Sequence, residues 1–375
     1  RCMLEAVREI WFGEGTTYIK ICYGNVYVDG ESGQLGDRGV VDGLRIKTVS
    51  RFDGDTLIEV EGRIEKNEGD LVEIDINQIR RQDISQQHTA QHLLSAIFLR
   101  EMDADTVGFQ MGEEYTTIDL SLGILSDDMI SHVEGICNDM IAKDLPVKSF
   151  TVDRSELHEV GLRKEIDKKI SEGDRDIRLV EIEGIDISAC SGLHIDRTGQ
   201  IRLLKILKRE KVKGSLTRIF FVAGNRALED YATKHSLIAR SAQLLTCKYS
   251  DLPNRIESLV GEIKASNSVV RSLSERLGYY IAGDIDRSRS RITFLDEEES
   301  VLAAIPKFVT LEEYLIIGKA DDRVLLFGRN FDCQKVLSKI KEELEVRGGS
   351  GRDRGQFLFE GDFSTIKELI LKNFS

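Results

Sequence analysis

The chain has 375 residues, three prolines and a formal net charge of −13. So few prolines exclude a proline-rich or collagen-like chain. No apolar run approaches the roughly 20 residues of a membrane-spanning helix, and the acidic balance argues against broad, charge-driven binding of nucleic acid. Hydrophobic residues make up 41% and charged residues 31%; at about 150 residues per domain, two or three domains with real cores are expected. The first thirty residues show no basic-then-apolar leader pattern, so a cytoplasmic location is expected. Cysteines at 2, 22, 137, 190, 247 and 333 form no CxxC pair, which predicts reduced thiols.

Residues 1–82 read as all-β. TTYIKI, NVYVDG, LRIKTVSRF and TLIEVEGRI alternate apolar and polar residues between glycines, the pattern of a small barrel or sandwich. Residues 83–226 are mixed. HTAQHLLSAIFLREM and SDDMISHVEGICNDMIAKD have helical apolar spacing, whereas YTTIDLSL and IRLVEIEGIDI read as strands. Residues 227–284 hold two long helical patterns broken near Pro253, most simply an antiparallel hairpin linking two domains. Residues 285–375 run strand (SVLAAIPKF, EYLIIGKA, RVLLFGRN), helix (CQKVLSKIKEELEV), glycine loop (RGGSGRDRG), strand (QFLFEGD) and a last helix. That order predicts a separate α/β domain. The fold class expected is therefore α+β and multidomain.

Two pairs carry chemistry. His88 and His92 lie four apart in HTAQH, so on a helix both imidazoles project from one face and reach one ion. The glutamate of a protease HExxH is replaced by Thr89, so the usual protease base is absent. Cys190 and His194 form a second pair four apart, with Gly192 between them for a tight turn. Thiolate with imidazole is a zinc-type donor set. Against this stand a buried small hydrophobe for Cys190 and a satisfied core histidine for His194.

Charge is not spread evenly. Residues 197–218 carry Arg197, Arg202, Lys205, Lys208, Arg209, Lys211, Lys213 and Arg218 against Glu210 alone. Screening over about 8–10 Å lets such a strip bind phosphate on an acidic body; the plain alternative is a solvated strand face. Arg347, Arg352 and Arg354 form a second basic spot in the glycine run.

In order, HTAQH, VGFQMGEEYTTIDL, IDISACSGLHIDRTGQIRLLKILK and TRIFFVAGNRAL resemble the editing domain of alanyl-tRNA synthetases. More closely, they resemble the long form of the free-standing alanyl-tRNA editing proteins. The match is strongest over 83–226 and weakens toward both ends. It implies an N-terminal β-barrel (1–82), a zinc-binding editing domain (83–226), a helical hairpin (227–284) and a C-terminal domain with a glycine-rich loop (285–375). It also implies hydrolysis of the ester joining a wrong amino acid, chiefly serine and sometimes glycine, to tRNA(Ala).

By motif, the resemblance assigns zinc to His88, His92, Cys190 and His194. It places Gln110, Thr89 and Gln91 in catalysis, with Gln110 and Thr89 as readers of the serine hydroxyl and Asp186 ahead of the cysteine motif. The basic strip and Arg347, Arg352 and Arg354 become candidate tRNA contacts, and the C-terminal domain a candidate homodimer interface. The family's CGGTH is Cys190-Ser191-Gly192-Leu193-His194 here. Of its glycine-rich N-terminal loop, Gly33, Gln34, Asp37 and Gly39 remain. The alternative is a non-catalytic tRNA-binding module with a structural zinc, since four protein ligands close a tetrahedron. A phosphodiesterase, suggested by the glycine run alone, lacks the carboxylate-rich metal motif it needs.

Overall fold

Alternating β-branched residues in the first 76 positions build a seven-stranded antiparallel sheet. It comprises β1 (Cys2–Ala6), β2 (Glu9–Gly13), β3 (Thr16–Ile21), β4 (Gly39–Val41), β5 (Leu44–Phe52), β6 (Asp55–Glu61) and β7 (Leu71–Ile76), in the order β1-β7-β4-β5-β6-β3-β2. Only Val7 and Arg8 separate β1 from β2, and their amides donate to Asp70 O at 2.9 Å and Lys20 O at 2.8 Å. The two segments thus act as one bent strand, paired with β7 on one side and β3 on the other. The sheet closes into a six-stranded barrel around Ile19, Val41, Val49, Ile58, Val60, Val72 and Ile74, all fully buried. The computed structural model describes residues 2–163 and 176–374.

NVYVDG forms no strand. Val26 and Val28 turn inward as a strand would, but carboxylates capture the backbone. Tyr27 N donates to Asp37 Oδ2 at 2.8 Å, and Gly36 N to Asp29 Oδ1 at 2.9 Å. Side chains that take up backbone groups in this way compete with a ladder, and the segment stays a loop.

Helix α1 (Gln78–Met102) starts ten residues before His88, capped by Asn77, whose side chain accepts from Arg80 N. The expected boundary at 82/83 falls inside it. After α1 come β8 (Thr106–Met111), β9 (Thr116–Leu120), α2 (Asp127–Ala142, capped by Ser126), β10 (Val147–Asp153), β11 (Asp176–Ile182), β12 (Asp186–Ala189), β13 (Leu204–Lys211) and β14 (Thr217–Ala223). These strands form one sheet in the order β10-β11-β12 and another in the order β13-β14-β9-β8. IRLVEIEGIDI is thus a hairpin, turning at Gly184 with φ 70°. Helix α1 packs against α2, β8, β9, β12 and β14, and every residue from Ile84 to Phe98 is buried.

Helices α3 (Gly224–Leu244) and α4 (Leu252–Ser288) follow, the break between them ending at Pro253 in the first turn of α4, where proline's missing N–H costs nothing. The chain forms two compact units, 1–238 and 239–375.

In the second unit, β15 (Ile292–Asp296), β16 (Tyr314–Ala320), β17 (Arg323–Arg329), β18 (Arg347–Ser350) and β19 (Arg354–Leu358) form a sheet ordered β15-β16-β17-β19-β18. Only β15 and β16 run parallel, so this is a mixed sheet rather than a doubly wound α/β one. Helices α6 (Cys333–Glu343) and α7 (Phe363–Phe374) pack on it. SVLAAIPKF is not a strand but the short helix α5 (Glu299–Leu302) and a 3-10 turn at Ile305–Lys307. Its apolar residues bury against Ala282 and Ile285 of α4, which a helical turn allows and an extended strand does not. The glycine run is only in part a loop, residues 351–353 forming the turn between β18 and β19. Residues 347–350 are an edge strand, in which a Cβ at Gly348 would come within 2.2 Å of Gln356 O. Among the described residues, no helix is long and apolar enough to cross a membrane.

Candidate metal centre

A helix buried on all sides must satisfy every polar group it carries. Between Ile84 and Phe98, α1 carries Ser85, Gln86, Gln87, His88, Thr89, Gln91, His92 and Ser95. The glutamines illustrate the structural solution. Gln87 Nε2 donates to Ala223 O at 2.7 Å, and Ala223 N donates back to Gln87 Oε1 at 3.0 Å. Gln86 Nε2 donates to Gln200 O at 2.8 Å. The histidines are arranged differently.

His88 and His92 project one turn apart toward the turn that follows β12, where Cys190 and His194 sit. The four donor atoms lie within 4.8 Å of one another. Cys190 Sγ is 3.4 Å from His88 Nε2 and 3.3 Å from His194 Nε2. Zn–S and Zn–N bonds of about 2.3 and 2.0–2.1 Å set neighbouring donors of a tetrahedron roughly 3.5 Å apart, so these separations fit zinc. The turn is tight because Arg178 donates to Cys190 O at 2.7 Å and to Gly192 O at 2.9 Å. A Cβ at Gly192 would lie 2.2 Å from His88 Cε1.

Each imidazole is oriented from outside. His88 Nδ1 is 3.0 Å from Gln34 Oε1, which also accepts from Leu193 N at 2.9 Å. An amide N–H can only donate, so this atom is the oxygen and His88 Nδ1 carries the proton. His92 Nδ1 is 3.0 Å from Asp186 Oδ2, and His194 Nδ1 is 3.0 Å from Thr89 Oγ1. The Nε2 lone pairs therefore face one point, the outer-shell pattern of metal-bound histidine. Asp186 is fixed in turn by Arg163 Nε at 2.6 Å.

Burial favours the neutral imidazole. It pushes His88 below its usual pKa and His194 down to about 3. Burial opposes charge on His92 as well, yet the Asp186 and Cys190 contacts override it and raise the group to about 9. Burial would raise the Cys190 thiol, but neighbouring imidazoles hold it well below the usual value. A thiolate among imidazoles is the state a metal takes.

The remaining sequence candidates are distributed unevenly. Thr89 reaches the centre, but as a positioning group. Its oxygen accepts from Ile195 N at 3.3 Å besides facing His194. Gln91 Nε2 donates to Ser95 Oγ at 2.9 Å and serves its own helix. Gln110 is not brought to the cluster. Its neighbour Phe109 stacks on His88 with ring centroids 5.3 Å apart, and alternation along a strand turns Gln110 to the other face of β8. There it lines a cleft with Tyr115, Thr117, Arg218 and Phe220.

The basic strip is largely neutralised. Arg197 pairs with Asp144, Lys205 with Glu134, Arg209 with Asp127 and Arg218 with Asp119, while Lys208 meets Glu210. Arg202 bonds Asn225. Lys211 and Lys213 have no carboxylate partner among the described residues, nor have Arg347, Arg352 and Arg354. Arg354 lies over the Phe327 ring.

Gln34 and Phe109, the latter outside the candidate set, both contact His88 of the cluster. Gln34 was legible as a remnant of the glycine-rich loop motif. Phe109 carried no signal beyond its place beside Gln110.

A family model described as the threonyl and alanyl tRNA synthetase second additional domain matches residues 177–220, the stretch holding Cys190 and His194. The chain is 27% identical to the alanyl-tRNA editing protein AlaX-L of Pyrococcus horikoshii, covering 84% of this chain and 82% of that one. It is 30% identical to the alanine–tRNA ligase of Methanopyrus kandleri over 65% of this chain and 27% of the ligase. To the ligase of Methanococcus maripaludis strain C5 it is 24% identical, over 93% of this chain and 40% of the ligase. The chain thus spans about two fifths of the length of the latter relative. The resemblance read from the motifs holds: the chain is similar to the long-form alanyl-tRNA editing protein and to part of alanine–tRNA ligases.

Proposed function

We propose that the chain, built like an alanyl-tRNA editing protein along most of its length, hydrolyses the aminoacyl ester of tRNA(Ala) that carries the wrong amino acid. Serine is the principal substrate and glycine the second. The observation that carries this reading is the convergence of four donor atoms within 4.8 Å, with all three imidazoles turned Nε2-inward by Gln34, Asp186 and Thr89.

His88, His92, Cys190 and His194 would hold a zinc ion, which when bound would supply Lewis-acid polarisation of the ester carbonyl. The chain's own residues do the rest. Asp186 and Thr89 keep the imidazoles in register, and Phe109 stacks on His88. Gln34 Nε2 is buried without a partner among the described residues. An unsatisfied buried donor costs about 1–3 kcal/mol, and a substrate hydroxyl or carbonyl relieves that cost. Serine carries a hydroxyl on the carbon that is a bare methyl in alanine, and sites that hydrogen-bond a hydroxyl reject analogues lacking it by about 10⁴–10⁵. Gln34 replaces Gln110 and Thr89 as our candidate hydroxyl reader.

Lys211 and Lys213 are the first phosphate contacts we assign, with Arg347, Arg352 and Arg354 as a second set. Tethering of two contact sets raises avidity without new contacts. Pairing of two copies through the C-terminal unit, and action in the cytoplasm where tRNA is charged, belong to the same reading.

The closed count of four protein ligands favours a second reading, a tRNA-binding module whose zinc is structural. Serine release from Ser-tRNA(Ala), set beside alanine release from Ala-tRNA(Ala), with and without a chelator, separates the two. The editing reading expects fast, chelator-sensitive serine release and slow alanine release. Equal or absent release of both overturns it.

A further inference from the structure

The loop that replaces NVYVDG faces the β11–β12 hairpin across a cleft of about 480 Å³, within the range of about 300–1,000 Å³ that encloses small ligands. Tyr23, Tyr27, Glu31 and Arg51 line it from the barrel, and Cys190 lines it from the metal turn. Ser32 Oγ and Ser191 Oγ meet across it at 2.6 Å. Tyr23 is 59% exposed, though aromatic. One face of its ring is covered by the Arg51 guanidinium, 3.8 Å from the centroid. Arg51 is itself fixed by Glu31 Oε2 at 2.8 Å and Thr56 Oγ1 at 2.9 Å. The result is an anchored ring, largely exposed and with no ring or cation on its second face among the described residues, in the same cleft as Cys190.

We propose that this cleft receives the 3′-terminal nucleoside of the acylated RNA, its base stacked on the open face of Tyr23. The inference rests on the editing reading, because the ester to be cut is borne on the ribose of that nucleoside. With the carbonyl at the His/Cys cluster, the base must lie within one nucleoside length of Cys190, and this cleft supplies a π-face there. Stacking serves where charge does not, since most of the basic strip is already paired with carboxylates. The Arg51–Glu31 pair acts as a positioning device that holds the Tyr23 ring in place.

Binding of two RNA hairpins that copy the tRNA acceptor end, one terminating in CCA and one in CC, tests the proposal by fluorescence anisotropy on the zinc-loaded full chain. Loss of one stacked base is expected to weaken binding about 5- to 150-fold. Tyr23→Ala is expected to abolish that gap, and Tyr23→Phe, which keeps the ring, to retain it. Zinc content and circular dichroism of each variant report on folding. Equal affinity of the unmodified chain for the two hairpins, no binding of either, or an undiminished gap in Tyr23→Ala overturns the assignment. Serine release is measured on the same preparations. A Tyr23-dependent gap without release sinks the editing reading and leaves the cleft assigned. Release without a gap does the reverse.

Discussion

Gly192 sits where no side chain fits. A Cβ there would lie 2.2 Å from His88 Cε1, 2.4 Å from His88 Nδ1 and 2.7 Å from Gln34 Oε1. Gly192→Ala must therefore push the His88 ring off the cluster or open the turn, and overpacking of this kind costs about 1–3 kcal/mol. Zinc content is expected to fall from one ion per chain to well below it, measured by atomic absorption. Gly135→Ala, with open space around its Cβ and no left-handed backbone, is expected to leave zinc unchanged. Retained zinc in Gly192→Ala would remove the turn from the metal site. At this scale the four ligands were legible because an i, i+4 spacing states its own geometry. Gln34 was legible only as part of a loop motif, since it meets His88 across 54 positions. The placement of Gln110 on the face of β8 away from the cluster was not legible, because the sequence does not say which of two neighbours on a strand faces the helix; a bulge between Thr106 and Gly108 shifts the register just before it.

At the scale of elements, the buried α1 is joined to the end of β14 by one side chain. Gln87 gives Ala223 both a donor and an acceptor, as a neighbouring strand would. Gln87→Leu leaves two buried backbone groups without partners at about 1–3 kcal/mol each. A lowered urea midpoint for the unit 1–238, equivalent to about 2–6 kcal/mol, is expected in equilibrium unfolding; an unchanged midpoint would mean that Ala223 finds other partners. Strong periodicities, such as those of α2, β3, β16 and β17, were read correctly from sequence. NVYVDG and SVLAAIPKF were not, for the same physical reason. Tertiary partners decide both: NVYVDG buries alternate residues, Val26 and Val28, yet Asp29 and Asp37 hold its backbone as a loop, whereas SVLAAIPKF buries Val301, Leu302, Ala304 and Ile305 at helical spacing against α4. The glycine run shows the converse. Its glycines are needed at Gly348 for strand contact rather than for a flexible turn.

For the molecule as a whole, net charge conceals pairing. The strip 197–218 is basic in sequence, yet its partners Asp119, Asp127, Glu134 and Asp144 lie up to 99 positions away, and no count along the chain finds them. These pairs imply acid lability. The Arg218 hydrogen bond holds the Asp119 carboxyl below its usual value, and Arg80 does the same for Glu113. A depressed folded pKa stabilises above the unfolded value of about 4 and is lost as pH falls through the folded one. Both pairs are half open to water, so each contributes under about 1 kcal/mol. Urea midpoints at pH 7 and pH 3.5 are expected to differ in the unmodified chain, and the difference to shrink in Asp119→Asn. An equal difference in both would exonerate this pair. The Gln34 contact carries a wider consequence. Because the barrel lends one of its own side chains to fix the His88 imidazole, an ion held by the cluster would be gripped by two parts of the fold jointly. Occupancy would then become a remote gauge of barrel integrity: a lesion on its far wall, touching nothing near the cluster, would register as a slackened hold on the metal.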